Sequence, residues 1–181
     1  AAGTTVATSL PLPPELGGTT VAIGGRVLPL LFSSPNQVNA MIPFDLTINA
    51  MHQLLVRRGA ALSVPEAVRV LAAQSGVFTK SATGQGEGIV VRVASDGSQS
   101  VVGPDNPVQG GDALVVYCTG LGDVDPRTLA GAAAPLQPIS NTLETVQVTI
   151  GGMAARVFFA GLTPGFTGLY PYLTHNFAKS V

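Results

Sequence analysis

Asp123 and Asp125 stand two residues apart in a loop that follows Gly120-Leu121-Gly122, with Asp105 and Asp112 upstream. Hard cations such as Ca²⁺ take several oxygen ligands, and carboxylates at this spacing on a loop can share one. The pattern is not an EF-hand, because no glycine and distal glutamate follow. Solvated loop carboxylates would read the same way. His52 and His175 are the only histidines, and they are the candidate general bases. A histidine working with an aspartate, or with a metal that aspartates hold, can hydrolyse an ester or lactone. Each also has a plainer reading: His52 as the exposed start of a strand through Gln53-Leu54-Leu55-Val56, and His175 as a polar residue near the end of the chain.

Other reactive groups point away from catalysis. Cys118 sits in Leu114-Val115-Val116-Tyr117-Cys118, an apolar setting that suits an inert thiol, since a nucleophilic cysteine needs an electropositive, accessible one. No Gly-x-Ser-x-Gly elbow occurs, which excludes an α/β-hydrolase. Gly84-Gln85-Gly86-Glu87-Gly88 lacks the strand, helix and lysine of a phosphate loop and reads as a linker. Phe166, Tyr170 and Tyr172 could face a glycan. With no tryptophan and only 7 Phe and 3 Tyr in 181 residues, however, most aromatics are needed for the core.

These groups must be carried by strands. The chain is 46% hydrophobic but only 10% charged, against about 25% for a typical soluble domain. Its 22 glycines and 14 prolines punctuate short Val- and Thr-rich runs, the composition of many strands joined by turns. Nine basic and ten acidic side chains give a net charge of −1, so no basic patch exists for nucleic acid. No run reaches the roughly 18–20 apolar residues of a membrane helix, and no membrane insertion is expected. One cysteine allows no intrachain disulfide. The chain opens Ala1-Ala2-Gly3 with no signal peptide, as a processed chain or fragment would.

An internal repeat organises the strands. Thr20-Val21-Ala22-Ile23-Gly24-Gly25-Arg26-Val27 lies over Gln147-Val148-Thr149-Ile150-Gly151-Gly152-Met153-Ala154, and Leu30-Leu31-Phe32 lies over Val157-Phe158-Phe159. Each copy reads as strand, Gly-Gly turn and returning strand, since tight hairpins demand the positive φ that glycine supplies. On this pairing Ile23, Leu30, Phe32, Ile150, Val157 and Phe159 should face inward. Residues 66–71 would suit a helix by composition, but Val68 and Val70 alternate with Arg69 and predict a strand. Asp96-Gly97 predicts a type I′ hairpin turn.

Leu10-Pro11-Leu12-Pro13, Leu16-Gly17-Gly18-Thr19-Thr20-Val21 and Ser34-Pro35-Asn36-Gln37-Val38-Asn39-Ala40 resemble the first unit of uncharacterised bacterial surface proteins carrying paired IPT/TIG-related, immunoglobulin-like domains. Val115-Val116-Tyr117-Cys118-Thr119-Gly120-Leu121-Gly122 and Ala160-Gly161-Leu162-Thr163-Pro164-Gly165-Phe166-Thr167-Gly168-Leu169-Tyr170 look like its second unit. The resemblance spans residues 4–170. It implies a fold and a secreted or cell-surface location, and it implies no catalytic residue.

The expected architecture is therefore all-β, with two immunoglobulin-like β-sandwich units. Unit one covers residues 1–79, lacking its first strand; 80–87 is a linker; unit two covers 88–181. After Tyr170 the sequence shows neither alternation nor a turn signal, so unit two should lack its last strands and associate with a second copy through its tail. The expected function is a non-catalytic structural or binding module whose partner is a protein or glycan at the cell surface, with metal-assisted hydrolysis as the alternative. No cofactor is expected, apart from Ca²⁺ at Asp123 and Asp125.

Overall fold

A computed structural model describes residues 3–175, with the backbone alone of His175. The described residues form strands, turns and loops without a helix, and all named strands pair antiparallel. The chain is all-β and divides into two compact units. Unit one takes Ala1–Ala72, Arg127–Leu136 and Pro164–Gly168; unit two takes Ala73–Pro126, Gln137–Thr163 and Leu169–Val181.

This corrects the boundary expected at residues 80–87. The chain leaves unit one after Ala72, and two later stretches belong with unit one. Residues 80–87 form a closed loop inside unit two. Lys80 N–H donates to the Glu87 carbonyl at 2.9 Å, its ammonium meets the Glu87 carboxylate at 2.8 Å, and Thr79 bridges Gly88. A polar, Gly-rich stretch serves a tight loop as well as it serves a linker.

Unit one contains β1 (Thr5–Val6), β2 (Thr19–Ile23), β3 (Arg26–Val27), β4 (Leu30–Ser33), β5 (Val38–Ala40), β6 (Ala50–Arg58), β7 (Ala61–Leu62) and β8 (Glu66–Val70). One sheet runs β1-β4-β5. The other runs β3-β2-β6-β7, with β8 also paired to β6. Gly24 and Gly25, at φ 55° and 80°, turn β2 into β3 as a two-residue hairpin. The two sheets share one core, in which Val21 and Ile23 of β2 and Val70 of β8 meet Leu30 of β4, with Val38 and Ala40 of β5 packed against them. Ser33 Oγ donates to Thr19 Oγ1 at 3.1 Å within it, so both buried hydroxyls are satisfied. Residues 66–70 are a strand, as Val68 and Val70 foretold; pairing with β6 overrides the helical composition.

Unit two contains β9 (Gly76–Val77), β10 (Val90–Val93), β11 (Gln99–Val101), β12 (Ala113–Thr119), β13 (Val124–Asp125), β14 (Asn141–Thr142), β15 (Val148–Ile150), β16 (Met153–Ala155), β17 (Val157–Ala160) and β18 (Tyr170–His175). Its main sheet runs β11-β10-β12-β18-β17, with β9 also on β12; β13–β14 and β15–β16 are separate ladders. In β12 the side chains of Leu114, Val115, Val116 and Cys118 are buried, as in a central strand covered on both faces.

The reading that strands stop after Tyr170 is overturned, because residues 170–175 are β18, flanked by β12 and β17. Pro171 hid this strand, since proline is rare inside sheets. Its carbonyl accepts from Gly161 N–H at 3.4 Å, so its ring nitrogen faces that same side, at the end of β17, and the β12 ladder loses nothing. Of the Pro171–Val181 tail, expected to mediate assembly, residues 176–181 lie outside the described residues.

Two local expectations also change. At Asp96-Gly97 only Gly97 has positive φ (82°), and Ala94 N–H donates to the Ser98 carbonyl at 3.0 Å. The turn is thus a longer loop than type I′, with Asp96 Oδ1 accepting from Ser98 N–H at 2.9 Å. Of the residues expected inward, Ile23 and Leu30 are fully buried, whereas Phe32, Ile150, Val157 and Phe159 are half-buried.

Candidate functional site

The Asp123–Asp125 segment follows β12, which ends at Thr119, and Gly120 and Gly122, at φ of 74° and 91°, lead the chain into β13. Val124 is buried between the two aspartates, so strand alternation sets both carboxylates on the other side. Asp123 Oδ1 accepts from Val124 N–H at 2.9 Å, and its carbonyl accepts from Leu143 N–H at 2.9 Å. Asp125 is exposed. Among the described residues no group of three or more His, Cys, Asp and Glu side chains is placed to hold a metal. Among those residues the pair comes without a third donor of those types.

His52 lies on β6, and its Nε2 is 2.8 Å from the Thr47 carbonyl, to which a ring N–H donates. Its Nδ1 edge fills the space beside Gly24, where an added Cβ would come within 2.7 Å. Gly24 is thus required twice, for its positive φ and for the imidazole beside it. His52 ties the loop before β6 to the sheet and is half-buried, where the sequence had suggested an exposed strand start. It belongs to unit one, whereas Asp123, Asp125 and His175 belong to unit two. The backbone of His175 pairs with Ala113 at the end of β18.

Cys118 is fully buried and its Sγ donates to the Tyr170 carbonyl at 3.2 Å. Burial pushes the thiol from its ordinary 9.0 up to about 11. The native chain keeps that proton across a range where the unfolded chain has released it. Its contribution to stability is therefore constant below about pH 9 and falls as pH rises toward 11, by about 1.4 kcal/mol per unit. Native protein at pH 8 should resist iodoacetamide for hours and react at once in urea; rapid alkylation of the native form, read by mass spectrometry, would refute the assignment.

Tyr170 is buried, and its hydroxyl donates to the Gly122 carbonyl at 2.8 Å, locking the turn before Asp123. Burial first, then the charges of Asp123 and Cys118, push its phenol upward. Tyr172, half-buried in β18, is raised chiefly by burial as well. Phe166 is exposed but belongs to unit one. Tyr170, being buried, offers no ring face to a sugar.

A groove of about 420 Å³ within unit one was not foreseen. Its apolar lining includes Val27, Pro29, Phe44 and Leu129, and Arg26 pairs with Asp45 at its edge at 2.7 Å. Those two side chains are 54% and 52% exposed, so the pair contributes about 0–1 kcal/mol and can exchange partners cheaply. Leu129 is 83% exposed. No local signal marks the groove, because its walls come from stretches about 100 residues apart in the chain. Comparison with protein families, curated proteins and solved structures returned no match.

Proposed function

We propose that this chain is a non-catalytic, immunoglobulin-like binding module of a secreted or cell-surface bacterial protein, with a protein or glycan as its ligand. What supports this reading is how the reactive side chains are employed. His52 bonds the Thr47 carbonyl, Cys118 bonds the Tyr170 carbonyl, and Asp123 bonds the adjacent amide. Each secures a strand or turn. The groove of unit one supplies a surface of another kind, apolar and edged by an exposed ion pair.

The test is chromogenic ester and lactone hydrolysis by the whole protein, with and without Ca²⁺, Zn²⁺ and EDTA, alongside glycan and peptide arrays. The binding reading expects turnover no faster than buffer under every condition, together with array binding that Phe44→Ala and Leu129→Asp weaken. EDTA-sensitive turnover abolished by Asp123→Asn or His52→Ala would replace it with a metal-assisted hydrolase.

A further inference from the structure

The walls of the unit-one groove are side chains, but two of its polar groups are main chain. Across the turn at Gly24 and Gly25, Ile23 lies opposite Arg26 and Ala22 opposite Val27. One step further on, Leu28 N–H donates to the Val21 carbonyl at 2.8 Å. Bonded and non-bonded pairs alternate along an antiparallel ladder. Because Val21 and Leu28 are bonded, Ala22 and Val27 are the non-bonded pair, and the N–H and C=O of Val27 point away from β2. Ala22 points the other way, toward Leu55 of β6. Among the described residues, neither main-chain group of Val27 has a hydrogen-bond partner. Val27 lines the groove, and its side chain is 56% exposed. Two residues on, Pro29 has no N–H, and its carbonyl accepts from Met41 N–H at 2.9 Å. Val27 alone in this stretch thus offers a donor and an acceptor together.

The charges around the groove select what can lie in it. Arg26 Nη1 and Asp45 Oδ2 are 2.7 Å apart at its edge. Arg127, the other charge in the lining, has a partner of its own. A ligand charge of either sign at this edge is attracted by one member of the pair and repelled by the other at nearly the same distance. An uncharged group meets no such opposition. The remaining walls are mainly aliphatic, and their one aromatic ring, Phe44, is half-buried. Sugars favour flat, exposed rings, whereas aliphatic side chains need only apolar cover.

We propose, resting on the binding reading above, that the groove takes an extended, uncharged aliphatic segment of a protein ligand, one residue of which exchanges main-chain hydrogen bonds with Val27. Those bonds supply affinity, and the walls select aliphatic side chains. The residue that meets Val27 cannot be proline, which has no N–H to give.

The probe is a peptide of alternating threonine and leucine, acetylated and amidated, titrated into the isotope-labelled whole protein and followed by NMR. Saturable movement of the Val27 and Leu129 amide signals is expected, with the Val27 amide proton moving downfield as it gains an acceptor. Replacing the N–H of each leucine by an ester oxygen should weaken binding about tenfold, the loss of one hydrogen bond. Exchanging the leucines for glutamate or for lysine should weaken it at least as much. Equal binding by the ester analogue, or tighter binding by either charged one, would overturn the proposal and leave the groove a binding site. So would saturation by cellobiose without response to the peptide, which would give the groove to a glycan. No saturable shift with the peptide would overturn it too, and the arrays and turnover assays above would then decide the binding reading separately.

Discussion

Replacing Asp112 with alanine should lower the stability of unit two by about 3–5 kcal/mol, the cost of stranding one member of a buried ion pair. Arg92 Nε lies 2.7 Å from Asp112 Oδ2, with side chains 17% and 8% exposed; the contact is ionic rather than an aligned hydrogen bond. The same oxygen accepts from Gln109 N–H at 2.7 Å. Arg92 Nη1 donates to Asn106 Oδ1 at 3.2 Å, and Asn106 Nδ2 donates to Ser100 Oγ at 2.7 Å. The pair therefore sits at the centre of a network joining β10 and β11 to the chain that enters β12. Replacing both members together, with Arg92→Met and Asp112→Leu, should restore most of the loss, because the desolvation cost disappears with the charges. Urea midpoints give the result. If Asp112→Ala costs less than about 1 kcal/mol, the network does not hold this part of the unit.

The second large effect lies in the paired hairpins. Ile23→Ala should cost about 2–5 kcal/mol, the range for truncating a buried aliphatic side chain. Ile150→Ala, at the matching position, should cost about 1 kcal/mol or less, because a half-buried side chain loses less apolar contact and leaves no closed cavity. Equal losses by chemical denaturation would mean that Ile150 is as well covered as Ile23.

The two Gly-Gly turns were the most legible part of the fold. Gly24-Gly25 and Gly151-Gly152 demanded tight hairpins on conformational grounds alone, and both formed. Val68 and Val70 gave away β8 by alternation. β18 was illegible because its strand character comes from β12 and β17 on either side rather than from its own residues, among them Pro171. The unit boundary was illegible for a similar reason. Residues 127–136 and 164–168 join unit one through contacts distant in sequence, which leave no local mark. For the candidate site, the types of His52 and Asp123 were informative but their employment was not. A histidine that donates to a carbonyl five residues away looks, in sequence, like one that could take a proton from a substrate.

The late return of chain into unit one bears on the order in which the protein can mature during synthesis. Leu12 N–H donates to the Gly131 carbonyl at 2.8 Å, Gly131 lies against Pro29 and Leu12, and Gly168 lies against Met41. Domains generally fold as they leave the ribosome, the N-terminal one first. Here unit one waits for Pro164–Gly168 before all its parts exist. Its early sheets thus stay unfinished until those later residues emerge, and a fragment ending at Ala72 would never acquire the pieces that finish it.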